Sequence, residues 1–541
     1  AVAADCLEAR DRLAQRLGAL GMYAHVSHSV DTTDQAAAAL LGRVQGLYGQ
    51  AAGATAFIEP ELVAVGREAL LRWTAEEPRL CIYAHYFEDL FRKQAHLRSG
   101  EVEQVLGMAS DPLGGIETNY SMLTAADMRF PPARDREGRP VEVTQGSYEK
   151  ILAGPDREAR RTAWESYNDT YLAFKNTLAT NLLMAMKADV FRARVRRHPS
   201  SLAASLFPSH IPLEVFYRLI ETFRAHLPTW HRYWRVRRRL LGVEQLAPYD
   251  IWAPLNPEPP RVGYAQAVQW IAEGLAPLGE DYQRALRQGC LEERWVDALP
   301  NRGKIAGAFS SGSPGTYPFI VMGFDDTYYS LGTLAHELGH SMHSYLTWKH
   351  QPIVYSDYSL FVAEVASNFH QAMVRSYLLE HLPDRAQQIA VIEEAMANFH
   401  RYFFIMPTLA RFELAVHERL ERGEGVAADD MNALMADLFS EGYGGEMQVE
   451  RERVGITWAQ FVHLYLNYYV YQYATGISAA NALARRILAG TEGAAAAYLR
   501  FLSAGSSVYP LDALKMAGVD MTTTQPVDEA FAVLEGWVDR L

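Results

Sequence analysis

The sequence predicts a mostly α-helical, two-lobed protein with a small β element near its functional helix, on three observations. Residues 1 to about 108 alternate apolar and polar side chains at helical period with few breakers. Comparable helical patterns resume from Ser147 to about Arg196. A short apolar run of strand character, Tyr317 to Phe324, lies just ahead of a helical segment carrying His336-Glu337-Leu338-Gly339-His340.

In chain order, residues 1–108 are expected to form an N-terminal lobe of antiparallel helices. Residues 109–262 form a middle region. There, Asp111 to Thr144 is rich in Pro and Gly, and Met128-Arg129-Phe130 with Val141-Glu142-Val143 around Asp135 to Gly138 has the pattern of a hairpin. A second break, Ala253 to Gly263, precedes the region 263–541, which carries the chemistry. Within it the Gly/Ser/Pro stretch Gly307 to Pro314 bounds the strand-like run, and Ser330 to Ala335 leads into the next helix on apolar residues. The histidines therefore belong to a buried helix. A second helix is expected from about Ser359 to Leu379, after the loop at Gln351-Pro352.

Composition narrows the function class. At 541 residues and 49% hydrophobic content, the chain can bury a core large enough for two or more lobes. No window approaches 18 consecutive apolar residues, so no membrane span is expected. The net charge of −13 argues against nucleic acid as a partner. The clusters Arg192 to Arg197 and Arg235 to Arg239 have the spacing of solvated helix faces rather than binding patches. Cys6, Cys81 and Cys290 are scattered and lack metal spacing, which suits buried thiols in a reducing compartment. With no secretory signal at the Ala1 start, a cytoplasmic protein is expected. No feature sets an oligomeric state.

His336 and His340, four residues apart, share one helix face one turn apart, so their ring nitrogens can converge on one metal ion. Zinc is the default occupant, since it takes imidazole nitrogen readily and keeps a position for water when three protein ligands are present. Glu337 points about 100° away from His336 around the helix, beside that position, where it can take a proton from water. The alternative is a surface helix with two solvated histidines.

The third ligand has two candidates. His343 lies on the same face, but it is about 10.5 Å from His336 along the axis at 1.5 Å per residue, too far to share one ion easily. It is expected beside the ligands or facing substrate. Glu364 lies on the second helix, although Asp357, Glu364, Asn368, Gln371 and Arg375 share a face that could equally be solvated.

Four segments in one order decide between these readings: Thr333 to His343 (TLAHELGHSMH), Ala363 to Phe369 (AEVASNF), Tyr469 to Gly476 (YVYQYATG) and Ser503 to Met521 (SAGSSVYPLDALKMAGVDM). With weaker echoes over most of the chain after about residue 80, they resemble the thimet-oligopeptidase and oligoendopeptidase F family of zinc metallopeptidases. The resemblance implies one Zn2+ held by His336, His340 and Glu364, and a two-lobed helical zinc-peptidase fold with a deep central cleft. It implies short unstructured peptides as substrates. Family members usually carry Glu seven residues after the Glu ligand; this chain has Gln371, so the partner of a zinc ligand is neutral here.

Negative charge builds on the carbonyl oxygen as a peptide is hydrolysed, and neutral donors aimed at it lower the barrier. His463, Tyr465, Tyr468, Tyr469, Tyr471 and Tyr473 are such donors. If the stretch is helical, Tyr469 and Tyr473 share one face and Tyr471 lies with Tyr468 nearly opposite. By resemblance the substrate and oxyanion roles fall on His463, Tyr469 and Tyr471, with Tyr471 favoured as the oxyanion donor; Tyr465, from the same tyrosine-rich stretch, is expected to contact substrate, as is His343. Gly444 and Gly445, in Gly442-Tyr443-Gly444-Gly445, look like a family loop closing over peptide, and the edge near Ala308 to Ser311 is placed to pair with an extended substrate.

The sequence thus points to a zinc endopeptidase acting on short oligopeptides. A zinc carboxypeptidase or peptidyl-dipeptidase could use the same helices but needs a cation for a free C-terminus. A peptide-binding module without catalysis would not need Glu337.

Overall fold

Wherever the sequence keeps a 3.6-residue apolar period the backbone is helical, and in the computed structural model helices make up most of the chain. The structure describes residues 1–305 and 307–541, the side chain of Asp111 excepted. These residues form two compact units, neither continuous in sequence: 1–95, 260–383 and 479–520 make one, and 96–259, 384–478 and 521–541 the other. Among the described residues five short strands accompany the helices: β1 (Ala133–Arg134), β2 (Pro140–Val141), β3 (Val296–Asp297), β4 (Phe309–Ser311) and β5 (Phe319–Val321). Among the described residues no helix is long and apolar enough to cross a membrane.

In the first unit, helices Val2–Val30 and Gln35–Thr55 pack together, and the Asp34 side chain caps the second by accepting from the N–H groups of Ala36 and Ala37. The sheet order is β3-β5-β4, with β5 parallel to β3 and antiparallel to β4. β4 is therefore an edge strand, at the position expected to receive an extended chain. Lys304 ties the sheet together, its ammonium donating to the main-chain oxygens of Asp297, Leu299 and Met322 and to the Asp297 carboxylate.

Helix Tyr328–His350 begins at Thr327, whose hydroxyl accepts from the Ser330 N–H at 3.0 Å and donates to Asp325 at 2.7 Å. It packs against helix Leu360–His381, helix Ala494–Leu502 and strands β4 and β5, which is why its sequence is apolar on more than one face. The second expected helix spans Leu360–His381, with Ser359 as its N-cap.

In the second unit, the expected hairpin forms with shorter strands, pairing Ala133 with Val141 and Arg134 with Pro140. The Asp135 carboxylate accepts from the N–H groups of Glu137 and Arg139 and closes the turn. Met128–Phe130 lies outside the ladder, separated from it by Pro131 and Pro132, which have no N–H to donate. The break expected from residue 111 is also displaced. Helix Gly100–Ser121 runs through Pro112, held by packing against helix Lys175–Val195. The pattern from Ser147 to Arg196 resolves into helices Tyr148–Leu152, Arg157–Ala173 and Lys175–Val195.

The segment containing the tyrosines is helical only from Tyr471 onward. Before it come two 3-10 turns, Ile456–Gln460 and Val462–Tyr465, and then Tyr468 in the left-handed region at φ 47°. The regular helix assumed for the face argument is therefore absent at Tyr469.

Candidate metal centre

Helix Tyr328–His350 presents His336 and His340 one turn apart, their rings edge-to-face with centroids 4.9 Å apart. Helix Leu360–His381 brings Glu364 opposite them. His336 Nε2 lies 3.6 Å from Glu364 Oε2, and His340 Nε2 lies 3.9 Å from Glu364 Oε1. One donor atom from each of the three residues falls within 4.8 Å of the others, and among the described residues this is the one such group with ligand chemistry. Two neutral imidazole nitrogens and a carboxylate are a donor set that fits zinc with a position left for water. Glu364, Asn368, Gln371 and Arg375 are all buried, so the shared face of the second helix is not a solvated one.

Gln371 sits behind the first ligand, its Oε1 3.1 Å from His336 Nδ1. An amide oxygen only accepts, so Nδ1 carries the proton and Nε2 keeps its lone pair for the metal side. Burial lowers His336 to about 4, with Gln371 partly opposing and Arg375 reinforcing the shift, and it holds His340 well below the usual range. Burial raises the Glu364 carboxyl to about 7. The imidazoles thus stay neutral, and a divalent cation among them would favour the ionised carboxylate.

Glu337, 6% exposed, is raised to about 8 by burial first and then by the charge of Glu364, while the Ser310 N–H of β4 donates to its carboxylate and opposes the shift. Ser310 also meets Ser341 hydroxyl to hydroxyl at 2.8 Å, fixing the edge strand to the ligand helix.

The structure corrects the substrate-facing reading of His343. Its side chain is 1% exposed and stacked on Tyr358 at 3.7 Å, with Phe501 on another side at 5.4 Å. Burial lowers its pKa to about 3, so it is a neutral packing group on a buried face of the helix that carries His336 and His340. At Gly444 the structure shows a packing reason for glycine. It ends helix Ala428–Tyr443 in the left-handed conformation at φ 57°, and a Cβ there would lie 2.4 Å from the His231 ring, so glycine is required by packing. Gly445 follows at φ 77° in the same turn.

In the second unit, His463, Tyr469 and Tyr473 cluster. The His463 ring is 5.9 Å from Tyr469 and 6.0 Å from Tyr473, and the Tyr473 hydroxyl donates to that of Tyr469 at 3.3 Å. Tyr473 also stacks on Tyr402 at 4.9 Å, in the π-helical turn Arg401–Ile405. Burial, with Arg401 adding to it, lowers His463 to about 4, so it is neutral near pH 7. Tyr471, the choice from sequence, is 2% exposed, and its ring meets Phe216 edge-on at 5.4 Å, a ring that Tyr468 also meets edge-on at 5.5 Å. Tyr465 stands apart as well, its ring 4.9 Å from Tyr120 and its hydroxyl accepting from Asn181 Nδ2 at 3.1 Å. Tyr473 was identifiable from its four-residue spacing to Tyr469; Tyr402, far away in sequence, carried no such signal.

Two helices, two histidines and a glutamate with a neighbouring buried carboxyl define the class of the helix-borne metallohydrolases. Residues 151–533 match peptidase family M3, and residues 61–130 match the N-terminal family described as oligopeptidase F. The chain is 39% identical over 538 residues to oligopeptidase PepF of Bacillus subtilis (strain 168), covering 99% of this chain and 80% of the relative. It is 36% identical to group B oligopeptidase PepB of Streptococcus agalactiae serotype III (strain NEM316), covering 97% and 87%. The crystal structure of oligoendopeptidase-F from Enterococcus faecium superposes with a TM-score of 0.78 at 30% identity, covering 99% of this chain and 92% of that one. The protein belongs to peptidase family M3 and is a metallopeptidase of mostly helical fold.

Proposed function

We propose that the protein is a zinc-dependent endopeptidase that cleaves internal bonds of short unstructured oligopeptides. The observation that carries this reading is the convergence of His336, His340 and Glu364, with the buried Glu337 on the ligand helix. When bound by these three residues, zinc supplies a Lewis acid that acidifies water and polarises a carbonyl. Glu337 takes the proton of the attacking water and passes it to the departing amine, a task suited to a carboxyl raised toward neutrality. Gln371 holds the His336 ring in the tautomer that ligation needs. The edge strand β4, whose Ser310 N–H already serves Glu337, offers its outer edge to an extended peptide. His463, Tyr469 and Tyr473 donate to the scissile carbonyl as charge develops on it.

The relatives named oligopeptidase and oligoendopeptidase support the substrate class. Three free thiols support action in a reducing compartment, the cytoplasm. Digestion of matched peptides with free and amidated C-termini, followed by mass spectrometry, tests the endopeptidase reading. Equal internal cleavage of both is expected; loss of cleavage on the amide would instead establish an exopeptidase.

A further inference from the structure

A second buried carboxyl, remote in sequence from the metal ligands, bears on the tyrosines. Glu413, on helix Met406–Glu421, is 0% exposed, and its Oε1 accepts from the main-chain N–H of Tyr468 at 2.7 Å. Tyr468 holds φ 47°, a conformation that crowds any residue with a Cβ and persists only where its surroundings impose it. The ring of Tyr468 is held too, edge-on to Phe216 at 5.5 Å and beside His417 at 4.9 Å. The next residue is Tyr469, and the left-handed turn lies between the 3-10 segment Val462–Tyr465, which carries His463, and helix Tyr471–Leu488.

We propose that Glu413 is a positioning residue for peptide hydrolysis, clamping the left-handed Tyr468 peptide so that the Tyr469 hydroxyl meets Tyr473 beside His463. The proposal rests on the reading that these three groups serve the substrate carbonyl. Without an acceptor at residue 413 the Tyr468 N–H would be buried and unsatisfied, so the turn would relax toward negative φ and carry Tyr469 away. Tyr473, inside the helix, would stay.

The role asks for an acceptor and not for a charge. Among the described residues no cation pairs with Glu413 and its Oε2 has no hydrogen-bond partner, and burial, with the Tyr468 N–H opposing and nearby Asp189 adding, keeps its carboxyl well above the usual range. The His417 ring contributes only a main-chain contact, Nδ1 to the Glu413 oxygen at 3.0 Å.

Steady-state kinetics on one internally quenched peptide, with zinc content and melting measured on each full-length variant, test this. Glu413→Gln, which keeps the acceptor, should stay within about twofold of wild type in kcat and KM. Glu413→Leu should lower kcat about tenfold or more with zinc retained. Glu413→Asp, whose arm is one methylene shorter, should show the same loss in part and serves if the leucine variant does not fold. In a Tyr469→Phe background the losses from leucine or aspartate should shrink to about twofold, because both changes remove the same group from the reaction. A glutamine variant as impaired as leucine or aspartate, wild-type kcat in the leucine and aspartate variants, or an undiminished loss in the Tyr469→Phe background would overturn the proposal. Wild-type kinetics for both Tyr469→Phe and Tyr473→Phe would instead refute the reading of the tyrosines on which it rests.

Discussion

Gly339, between the two histidines proposed as zinc ligands, is where the smallest perturbation should do the most damage. A Cβ built on it would lie 2.5 Å from the Ala366 carbonyl oxygen, 2.5 Å from Ser367 Cα and 2.8 Å from the Ala366 carbonyl carbon. All three atoms are backbone of helix Leu360–His381, so no side chain can turn aside. Carbon atoms in contact settle at about 3.5–4.0 Å, so Gly339→Ala must push the helices apart by roughly 1 Å. Overpacking of this kind costs about 1–3 kcal/mol, occasionally more. The cost falls on the metal site, because the contact at Ala366 and Ser367 is half a turn to one turn from Glu364 while His336 and His340 ride on the other helix. Ligand distances tolerate only about 0.2 Å, so a displacement near 1 Å should weaken zinc by at least about tenfold. Competition with a chelating dye would give the zinc affinity, and thermal melting with and without zinc would report the packing cost. Gly323→Ala is the control, since the nearest atom to its Cβ would be 3.9 Å away. Wild-type affinity and melting for Gly339→Ala would refute the argument that backbone contact between these helices sets the site.

Three further outcomes follow from the same structure. Glu337→Gln should keep zinc and peptide binding but lose most turnover, because the proton acceptor is removed and the ligands are not; turnover near wild type in a stopped assay would exclude it as the base. Tyr471→Phe should leave kcat nearly unchanged, whereas Tyr473→Phe or Tyr469→Phe should lower it by about 10²-fold for whichever hydroxyl meets the oxyanion; the reverse order would restore Tyr471 to that role. Among the thiols, exposed Cys81 should react with a thiol reagent at pH 8 in the native protein. Cys290, whose thiol burial raises to about 12, should carry almost no thiolate there and react only on unfolding, and rapid native labelling of Cys290 would contradict its burial.

The features read correctly from sequence are those that depend on local geometry. Two histidines at i and i+4 must share a helix face whatever surrounds them, so His336 and His340 needed no tertiary information. Glu364 did, because its spacing allowed a solvated face as readily as a buried one. The burial of Asn368, Gln371 and Arg375 around it shows which applies. The role of Tyr471 needs tertiary information for the same reason. Its selection came from family resemblance, and what separates it from Tyr473 is the onset of the helix at Tyr471 and the turn at Tyr468, which a carboxyl 55 residues away supports. Gly444 was read as a functional loop because glycine freedom looks the same whether a peptide or the His231 ring demands it. The discontinuous units were equally hidden, since the chain leaves one for the other at 478–479, within the unbroken helix Tyr471–Leu488.

The most direct measurement of the central claim is elemental mass spectrometry of zinc per chain, made on wild type, Glu364→Ala and His343→Ala purified side by side without added metal. About one zinc is expected on wild type and on His343→Ala, and less than about a tenth on Glu364→Ala, with peptide hydrolysis following the metal. Full zinc on Glu364→Ala together with its loss from His343→Ala would contradict the His336, His340 and Glu364 centre and the mechanism built on it.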